Sequence, residues 1–151
     1  MKKETTNILV QNRKATFNYE IIDTYMAGIV LYGDEVKSIK SHNGTISESY
    51  CYINNGECFI TNMYIKSNPS TFRKDNDETR LRKLLLNKKE ITSLKEKLEK
   101  KGMSLIPLKV INHHNLVKVI LGLCKGKKLY DKRNDIKERD IRRDMYRELK
   151  G

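Results

Sequence analysis

Apolar and polar residues alternate near the start of the chain, and this period of two predicts a strand. Phe17, Tyr19 and Ile21 fall on one face of that strand, which begins at Thr16. The apolar run over residues 28–32 is bounded by glycine and predicts a second, buried strand. Together the two segments indicate a β-rich N-terminal half.

A short helix is predicted directly after these strands. Val36 and Ile39 are three residues apart, which is a helical spacing. Asp34 and Glu35 precede them and would stabilise the N-terminus of the helix through its dipole.

Residues 49–66 have the pattern of a β-hairpin. Asn55-Gly56 is a preferred two-residue turn, and the apolar face of the hairpin would hold Cys51 and Cys58. The predicted strand pairs are Cys51 with Ile60 and Ile53 with Cys58. Because the two cysteines then lie diagonally, we expect buried thiols and no disulfide.

A capped helix follows an extended segment over residues 81–86. Asn87 and Glu90 form a capping-box pattern, so the helix is predicted over residues 88–101, with Gly102 as its C-terminal glycine.

Two alternating strands over residues 106–110 and 116–123, joined by a turn over residues 112–115, complete the folded part. Pro107 marks an edge strand or the start of a strand, and residues 67–80 are predicted to form a long loop. The fold class predicted is therefore mainly β: a small antiparallel OB-like barrel with two or three helices and a basic C-terminal tail.

Charge separates the barrel from the tail. The 151 residues carry a net charge of +12, which indicates a polyanionic partner, although a lysine-rich composition could also produce a merely solvated basic face. Residues 125–151 hold 11 basic and 6 acidic side chains and few apolar ones. We expect three regions: a flexible N-terminus over 1–11, an OB-like barrel over 12–124, and the tail over 125–151.

The tail has only a thin apolar stripe, which consists of Ile136, Ile141, Met145 and Leu149. Such a segment cannot bury enough surface to order itself, so it is predicted to be disordered when free and helical when bound. The alternative is an ordinary terminal helix packed on the barrel.

Several classes of protein do not fit the sequence. It holds no apolar run of about 18 residues and no Cys-x-x-Cys pair. Because its first residues are polar and it has only three histidines, we expect neither a secretory leader nor a zinc site. These observations predict a cytoplasmic protein without metal or cofactor. The one candidate nucleophile is Cys124, whose pKa Lys125 and Lys127 could lower, but no histidine is placed near it and we expect no enzyme.

Basic residues flank the aromatic ones at both ends of the predicted barrel. Residues 12–14 precede Phe17 and Tyr19, and residues 125–128 close the last strand. If these ends meet, they combine phosphate contacts with faces for base stacking. The alternative is that both aromatic side chains belong to the core.

Five blocks of the sequence, in order, resemble the SsrA-binding protein family (small protein B). They are residues 12–15 (Asn-Arg-Lys-Ala), residues 27–31 (Ala-Gly-Ile-Val-Leu) with 33–38 (Gly-Asp-Glu-Val-Lys-Ser), residues 82–91 (Arg-Lys-Leu-Leu-Leu-Asn-Lys-Lys-Glu-Ile), residues 107–109 (Pro-Leu-Lys), and residues 125–133 with 136–140. The match covers residues 12–144.

The resemblance implies a binding protein of trans-translation. Such a protein holds the tRNA-like domain of transfer-messenger RNA (tmRNA) and brings it to stalled ribosomes, with no DNA or membrane partner and as a single copy on the RNA. The tail would become helical in the empty messenger channel beyond the decoding centre. The runner-up functions are a general OB-type RNA binder and an RNA-modifying enzyme that uses Cys124.

By motif position, the resemblance implies two sets of site residues. The RNA-binding set is Asn12, Arg13, Lys14, Phe17, Gly28, Glu35, Lys37, Ser38, Lys83, Leu84, Lys109, Lys125, Lys127 and Lys128. The ribosome-contacting set in the tail is Asp131, Lys132, Arg133, Ile136, Lys137, Arg139 and Met145.

Two positions depart from the family pattern. Met26 stands where the family has glutamate, and Phe17 stands where it has histidine. Phenylalanine keeps a stacking face but loses the polar nitrogens, so we expect the RNA contacts to differ at these two positions.

Overall fold

The computed structural model describes residues 7–67 and 78–126, which form nine strands and three helices. In chain order these are β1 Asn7–Gln11, α1 Ala15–Asn18, β2 Tyr19–Ile29, α2 Gly33–Lys40, β3 Gly44–Thr45, β4 Tyr50–Asn54, β5 Glu57–Thr61, β6 Tyr64–Ile65, β7 Arg82–Leu85, α3 Lys88–Leu98, β8 Met103–His113 and β9 Leu116–Gly126.

Six of the nine strands close into an antiparallel ring, in agreement with the predicted barrel, while β1 adds to an edge of β8 and β3 pairs with β6. The order around the ring is β8-β4-β5-β7-β2-β9, and β9 pairs again with β8. Strand β8 uses one edge for β9 and the other edge for β4 and β1, so it forms the seam of the barrel. Closure of this kind leaves the ring strands without free edges.

The core fills the ring and is completed by the two longer helices. Ile39 of α2 and Leu94 of α3 are fully buried with the inward residues of the strands. A second, smaller cluster forms where α1 covers the outside of the seam and consists of Ala15, Ile106 and Cys124.

The elements predicted from local signals are confirmed. The β4–β5 hairpin turns at Asn55-Gly56 and has the predicted register, with Cys51 opposite Ile60. The Asn87 side chain accepts a hydrogen bond from the Glu90 backbone at 2.8 Å, and the Glu90 carboxylate accepts one from the Asn87 backbone at 3.2 Å. The helix ends at Leu98, earlier than predicted, and Gly102 (φ +83°) lies in the following turn.

The start of the chain differs from the prediction. Residues 7–11 are not loose, because they pair with β8 as β1. The strand predicted from Thr16 begins at Tyr19, because hydrogen bonds from the Phe17 and Asn18 backbones to the Lys14 carbonyl form the helical turn α1. The run over 28–32 is not a separate buried strand: β2 pairs with β9 as far as Gly28 and ends at Ile29, which pairs with Leu84 of β7.

Strand β8 is longer than predicted on both sides. Pro107 lies inside it, at a bulge opposite Leu121, where a missing backbone donor is tolerated. The turn contracts to His114 and Asn115, whose φ values of +50° and +68° fit a tight two-residue hairpin turn.

Most of the predicted loop, residues 68–77, and the tail beyond Gly126 lie outside the described residues. The proposed domain boundaries stay predictions.

Candidate nucleic-acid interface

A groove opens at one end of the barrel, where the outer faces of β7, β2 and β9 meet α2. We call it the Gly28 groove. It has a volume of about 340 Å³, and its lining includes Gly28, Val36, Leu85, Leu116 and Lys118. Three blocks that are distant in sequence therefore meet here.

Gly28 sets the shape of this groove. Its strand partners are Leu85 on one side and Lys118 on the other. A Cβ atom at Gly28 would lie 3.3 Å from the Leu85 Cβ and 3.6 Å from the Lys118 Nζ. Because glycine has no side chain, the leucine and the lysine approach each other across the strand.

The outer face beside the groove is apolar and exposed. Met26, Leu85 and Leu116 are 45%, 51% and 59% exposed. Met26 pairs with Ile120, and Ile120 pairs with Lys109 of β8, so a second lysine borders the same face. Apolar side chains bordered by lysine can pack under bases and sugars while the cations contact phosphates.

Glu35 does not lie on this surface, although it was predicted in the RNA-binding set. Its side chain is 2% exposed and accepts hydrogen bonds from Arg80, from Arg82 and from the Tyr32 backbone. Burial alone would raise the pKa of Glu35, but these hydrogen bonds and the charge of Arg82 bring that pKa below its usual value. Glu35 therefore anchors α2, which carries Val36 into the groove, and does not contact a ligand directly.

The N-terminal basic segment lies elsewhere on the barrel. Asn12 is buried, and its side-chain amide donates to the Pro107 carbonyl at 3.1 Å, so it holds the chain against the seam. Arg13 and Lys14 are exposed, and the Lys14 ammonium lies 3.8 Å from the Glu48 carboxylate. Phe17 is half-buried on α1 and not on the strand where it was predicted.

The two predicted ends of the site meet as expected. Tyr19, which follows α1 directly, pairs with Gly126, next to Lys125. Gly28 lies nine residues further along β2, or roughly 30 Å at the usual rise of a strand. The predicted RNA-binding residues therefore divide between two regions of the surface.

The other predicted residues have varied environments. Lys37 is exposed and Ser38 is half-buried on α2. Lys83 is exposed and lies 3.4 Å from Glu57, whereas Leu84 is buried in the core and can only support its neighbour Leu85. Lys127, Lys128 and all predicted tail residues lie outside the described part of the chain.

Sequence reasoning missed Leu85, Leu116 and Lys118 as surface residues. Leu85 follows Arg82 and Leu84, whose side chains point inward, so the alternation along β7 turns it outward. Because residues 84–86 are all leucine, the sequence alone does not show which of them faces outward. The pairing of β7 with its neighbours was needed to assign its two faces.

The three cysteines are buried and free. Burial raises the pKa of the Cys124 thiol to about 11, so the suggested lowering by Lys125 and Lys127 is wrong. The physical reason is that Cys124 points into the small cluster under α1, away from water.

We expect all three thiols to be unreactive in the folded protein. Native protein at pH 8 should show almost no reaction with a thiol-titrating disulfide reagent within minutes, whereas protein in denaturant should show three thiols. A single fast thiol in the native protein would contradict the buried placement of Cys124.

Among the described residues, no helix is long and apolar enough to span a membrane. Histidine, cysteine and acidic side chains in this part of the chain form no group of three or more that could hold a metal ion.

Comparisons with known proteins identify the family of the chain. The model of the SmpB protein family matches residues 9–151. An SsrA-binding protein from Acholeplasma laidlawii is 49% identical over 144 residues, covering 95% of this chain and 97% of the relative. Another from Staphylococcus saprophyticus is 45% identical over 150 residues, covering 99% and 97%.

A solved structure from the same family is also similar to this chain. It is described as "tmRNA-SmpB: a journey to the center of the bacterial ribosome", and one of its chains is 42% identical to this one with a TM-score of 0.65, covering 88% of this chain and 94% of that chain. With a family model over nearly the whole sequence and relatives near 45% identity, this chain belongs to the SmpB family of SsrA-binding proteins.

Proposed function

We propose that this protein binds the tRNA-like domain of tmRNA and brings it to stalled ribosomes for trans-translation. Near-complete coverage of SsrA-binding relatives is the observation that carries the proposal. The protein would act as a binding partner and not as an enzyme, in the cytoplasm, as one copy for each RNA.

The Gly28 groove is proposed as the main contact for the tRNA-like domain. Leu85, Met26 and Ile120 offer apolar faces on three adjacent strands, two of them more than 40% exposed. Lys118 and Lys109 border them and would pair with phosphates. Such a surface suits unpaired bases that are turned out of a folded RNA.

Met26 is expected to change the RNA contact at this position, where the family pattern has glutamate. Its thioether is a weak acceptor, whereas the glutamate of the family pattern offers a carboxylate. With 45% exposure, Met26 can pack flexibly against a base or a sugar. Binding at this position would therefore depend on apolar contact and less on hydrogen bonding.

Competition experiments test the proposed function. In mobility-shift titrations, the tRNA-like domain of tmRNA should bind at least tenfold more tightly than elongator tRNA. Equal binding to both would favour a general RNA binder and would overturn the proposal.

The groove itself is tested by Leu85→Asp, with Leu81→Asp as its matched control. The two leucines are 51% and 48% exposed, but only Leu85 lines the groove. The substitution removes the apolar contact that Leu85 would make with the RNA and places a negative charge opposite phosphates. It should therefore weaken binding of the tRNA-like domain by at least tenfold, or about 1.4 kcal/mol. Leu81→Asp should bind as the wild type does. An equal loss of affinity in both variants would contradict the proposed contact between the Gly28 groove and the tRNA-like domain.

The tail is proposed to contact the ribosome. Residues 127–151 carry the whole second predicted set, from Asp131 to Met145, and would enter the messenger channel when no message occupies it. Contacts to ribosomal RNA by such a charged segment should weaken with salt.

A further inference from the structure

We propose that Lys40, at the C-terminal end of α2, is a positioning residue for RNA binding: it holds the β8–β9 turn in the shape that completes the Gly28 groove. The inference rests on the proposed function and deepens it, because the turn forms one wall of that groove. Asn115 and Leu116 line this wall, and both are exposed. Lys40 itself does not line the groove, so its effect would pass through the turn.

A hydrogen bond joins α2 to the turn. The Lys40 ammonium donates to the Asn115 carbonyl at 3.2 Å, across 75 residues of sequence. Val36 lies four residues before Lys40, on the same face of α2, and lines the groove. Because Glu35 anchors α2 to the buried Arg82, the turn is tied through Lys40 to a fixed element of the barrel.

The sequence of the β8–β9 turn favours its shape only weakly. His114 and Asn115 have φ values of +50° and +68°, a left-handed region that residues with a side chain rarely adopt. The β4–β5 hairpin makes the same kind of turn with Asn55-Gly56, the preferred pair, at φ values of +52° and +75°. A histidine and an asparagine lack this preference, so the β8–β9 turn gains more from a hydrogen bond to another element.

The position of the turn decides how the groove meets a ligand. Leu116 follows the turn directly and is 59% exposed, and Lys118 lies two residues further on the same face of β9. A displaced turn would move Leu116 out of line with the other apolar groups of the groove. A turn that is already held in place lets RNA bind without the cost of ordering this segment.

A direct contact between Lys40 and a phosphate is the competing explanation for any effect of this lysine on RNA binding. The two roles differ in their salt dependence. Loss of a phosphate contact lowers the slope of log Kd against log salt by about one, whereas loss of a positioning contact leaves the slope unchanged.

The test is a double-mutant cycle in the full chain. Lys40→Met removes the donor and keeps the length of the side chain, and His114→Asn/Asn115→Gly gives the turn the preferred Asn-Gly pair. With the wild-type turn, Lys40→Met should weaken binding of the tRNA-like domain about fivefold in mobility-shift titrations, the size of one hydrogen bond. With the Asn-Gly turn, the same substitution should cost less than about twofold, because the turn then keeps its shape without Lys40.

Hydrogen exchange of the free protein gives a second measurement that does not depend on RNA. The backbone amides of Leu116 and Val117 should lose protection in Lys40→Met, and this loss should be absent when the Asn-Gly turn is also present. Lys66→Met is the matched control, since Lys66 is exposed and does not line the groove, and the substitution removes the same charge. It should match the wild type in both measurements.

Four results would overturn the inference: unchanged RNA affinity in Lys40→Met, an equal loss with the Asn-Gly turn, a salt slope lowered by about one, or unchanged protection of the two amides. An equal effect of Lys66→Met would overturn it as well. Failure of the proposed function is distinct, because the wild type would then show no preference for the tRNA-like domain while the difference in hydrogen exchange persisted.

Discussion

We expect Glu35→Gln to lower the free energy of unfolding by about 3 to 5 kcal/mol, the cost of leaving a buried charge without its partner. The Arg82 side chain is fully buried, and its guanidinium donates to Glu35 through Nε at 3.0 Å and through Nη2. Glutamine keeps the shape of the side chain but removes the negative charge that both arginines face. Urea unfolding followed by circular dichroism measures the loss.

The remaining contacts of Arg82 explain why it cannot simply move to water. It also donates to the carbonyls of Met63 at 2.6 Å and Glu78 at 3.1 Å, which tie β7 to the segments around β6. Arg80 shares the Glu35 carboxylate and lies over the Tyr32 ring at 4.5 Å. Losing the carboxylate would therefore loosen α2 together with these segments.

Acid should have a related effect on the wild type. Because the folded-state pKa of Glu35 is lowered from 4.5, its stabilising contribution is fully present above pH 4.5 and is lost as the pH falls through the folded value. The difference in stability between wild type and Glu35→Gln should therefore be largest near neutral pH and shrink below pH 4.5.

Glu57→Gln is the matched control. Glu57 pairs with Lys83 at 3.4 Å, but the two side chains are 50% and 43% exposed. Exposed pairs contribute at most about 1 kcal/mol, so this variant should unfold nearly as the wild type does. Similar losses in both glutamine variants would contradict a special role for the buried cluster.

The second large effect concerns the tail. We expect truncation after Leu129 to abolish tag addition on stalled ribosomes, while binding of the tRNA-like domain stays within twofold of wild type. The Gly28 groove lies wholly within residues 28–118 and is retained in the truncated chain. Parallel measurements of mobility shift and of tagging in a reconstituted translation system separate the two activities.

Net charge alone cannot explain such a result. The removed residues 130–151 hold eight basic and six acidic side chains, so the truncation removes only two net positive charges. A full-length control with these residues scrambled keeps the charge but breaks the stripe of Ile136, Ile141, Met145 and Leu149, and it should tag as poorly as the truncated chain. Loss of tmRNA binding on truncation would instead show that the tail belongs to the barrel site.

Local signals predicted the elements that they directly encode. Asn55-Gly56 carries the turn of a hairpin within two residues, and Asn87 with Glu90 encodes a helix start within four. The position of Phe17 was predicted wrongly, because its alternation with Tyr19 resembles a strand although a helical turn separates it from β2. Three backbone hydrogen bonds to the carbonyls of Asn12 and Lys14 form that turn.

Long-range features could not be predicted in this way. Glu35 and Arg82 are 47 residues apart, and nothing in either neighbourhood signals that they meet in the core. The same holds for Gly28, Leu85 and Lys118, which became one groove only through the strand order of the ring. The family resemblance supplied the function, whereas the surface that would perform it required the fold.

The seam strand β8 also bears on how the chain folds during its own synthesis. Strand β1 at residues 7–11 finds its partner about 100 residues later, and the ring closes only through β9, which ends at Gly126. Pairings of such high sequence separation form slowly. The nascent barrel therefore stays open, with its apolar inner face exposed, until almost the whole folded part has been synthesised, and early termination upstream of β8 would leave an aggregation-prone fragment.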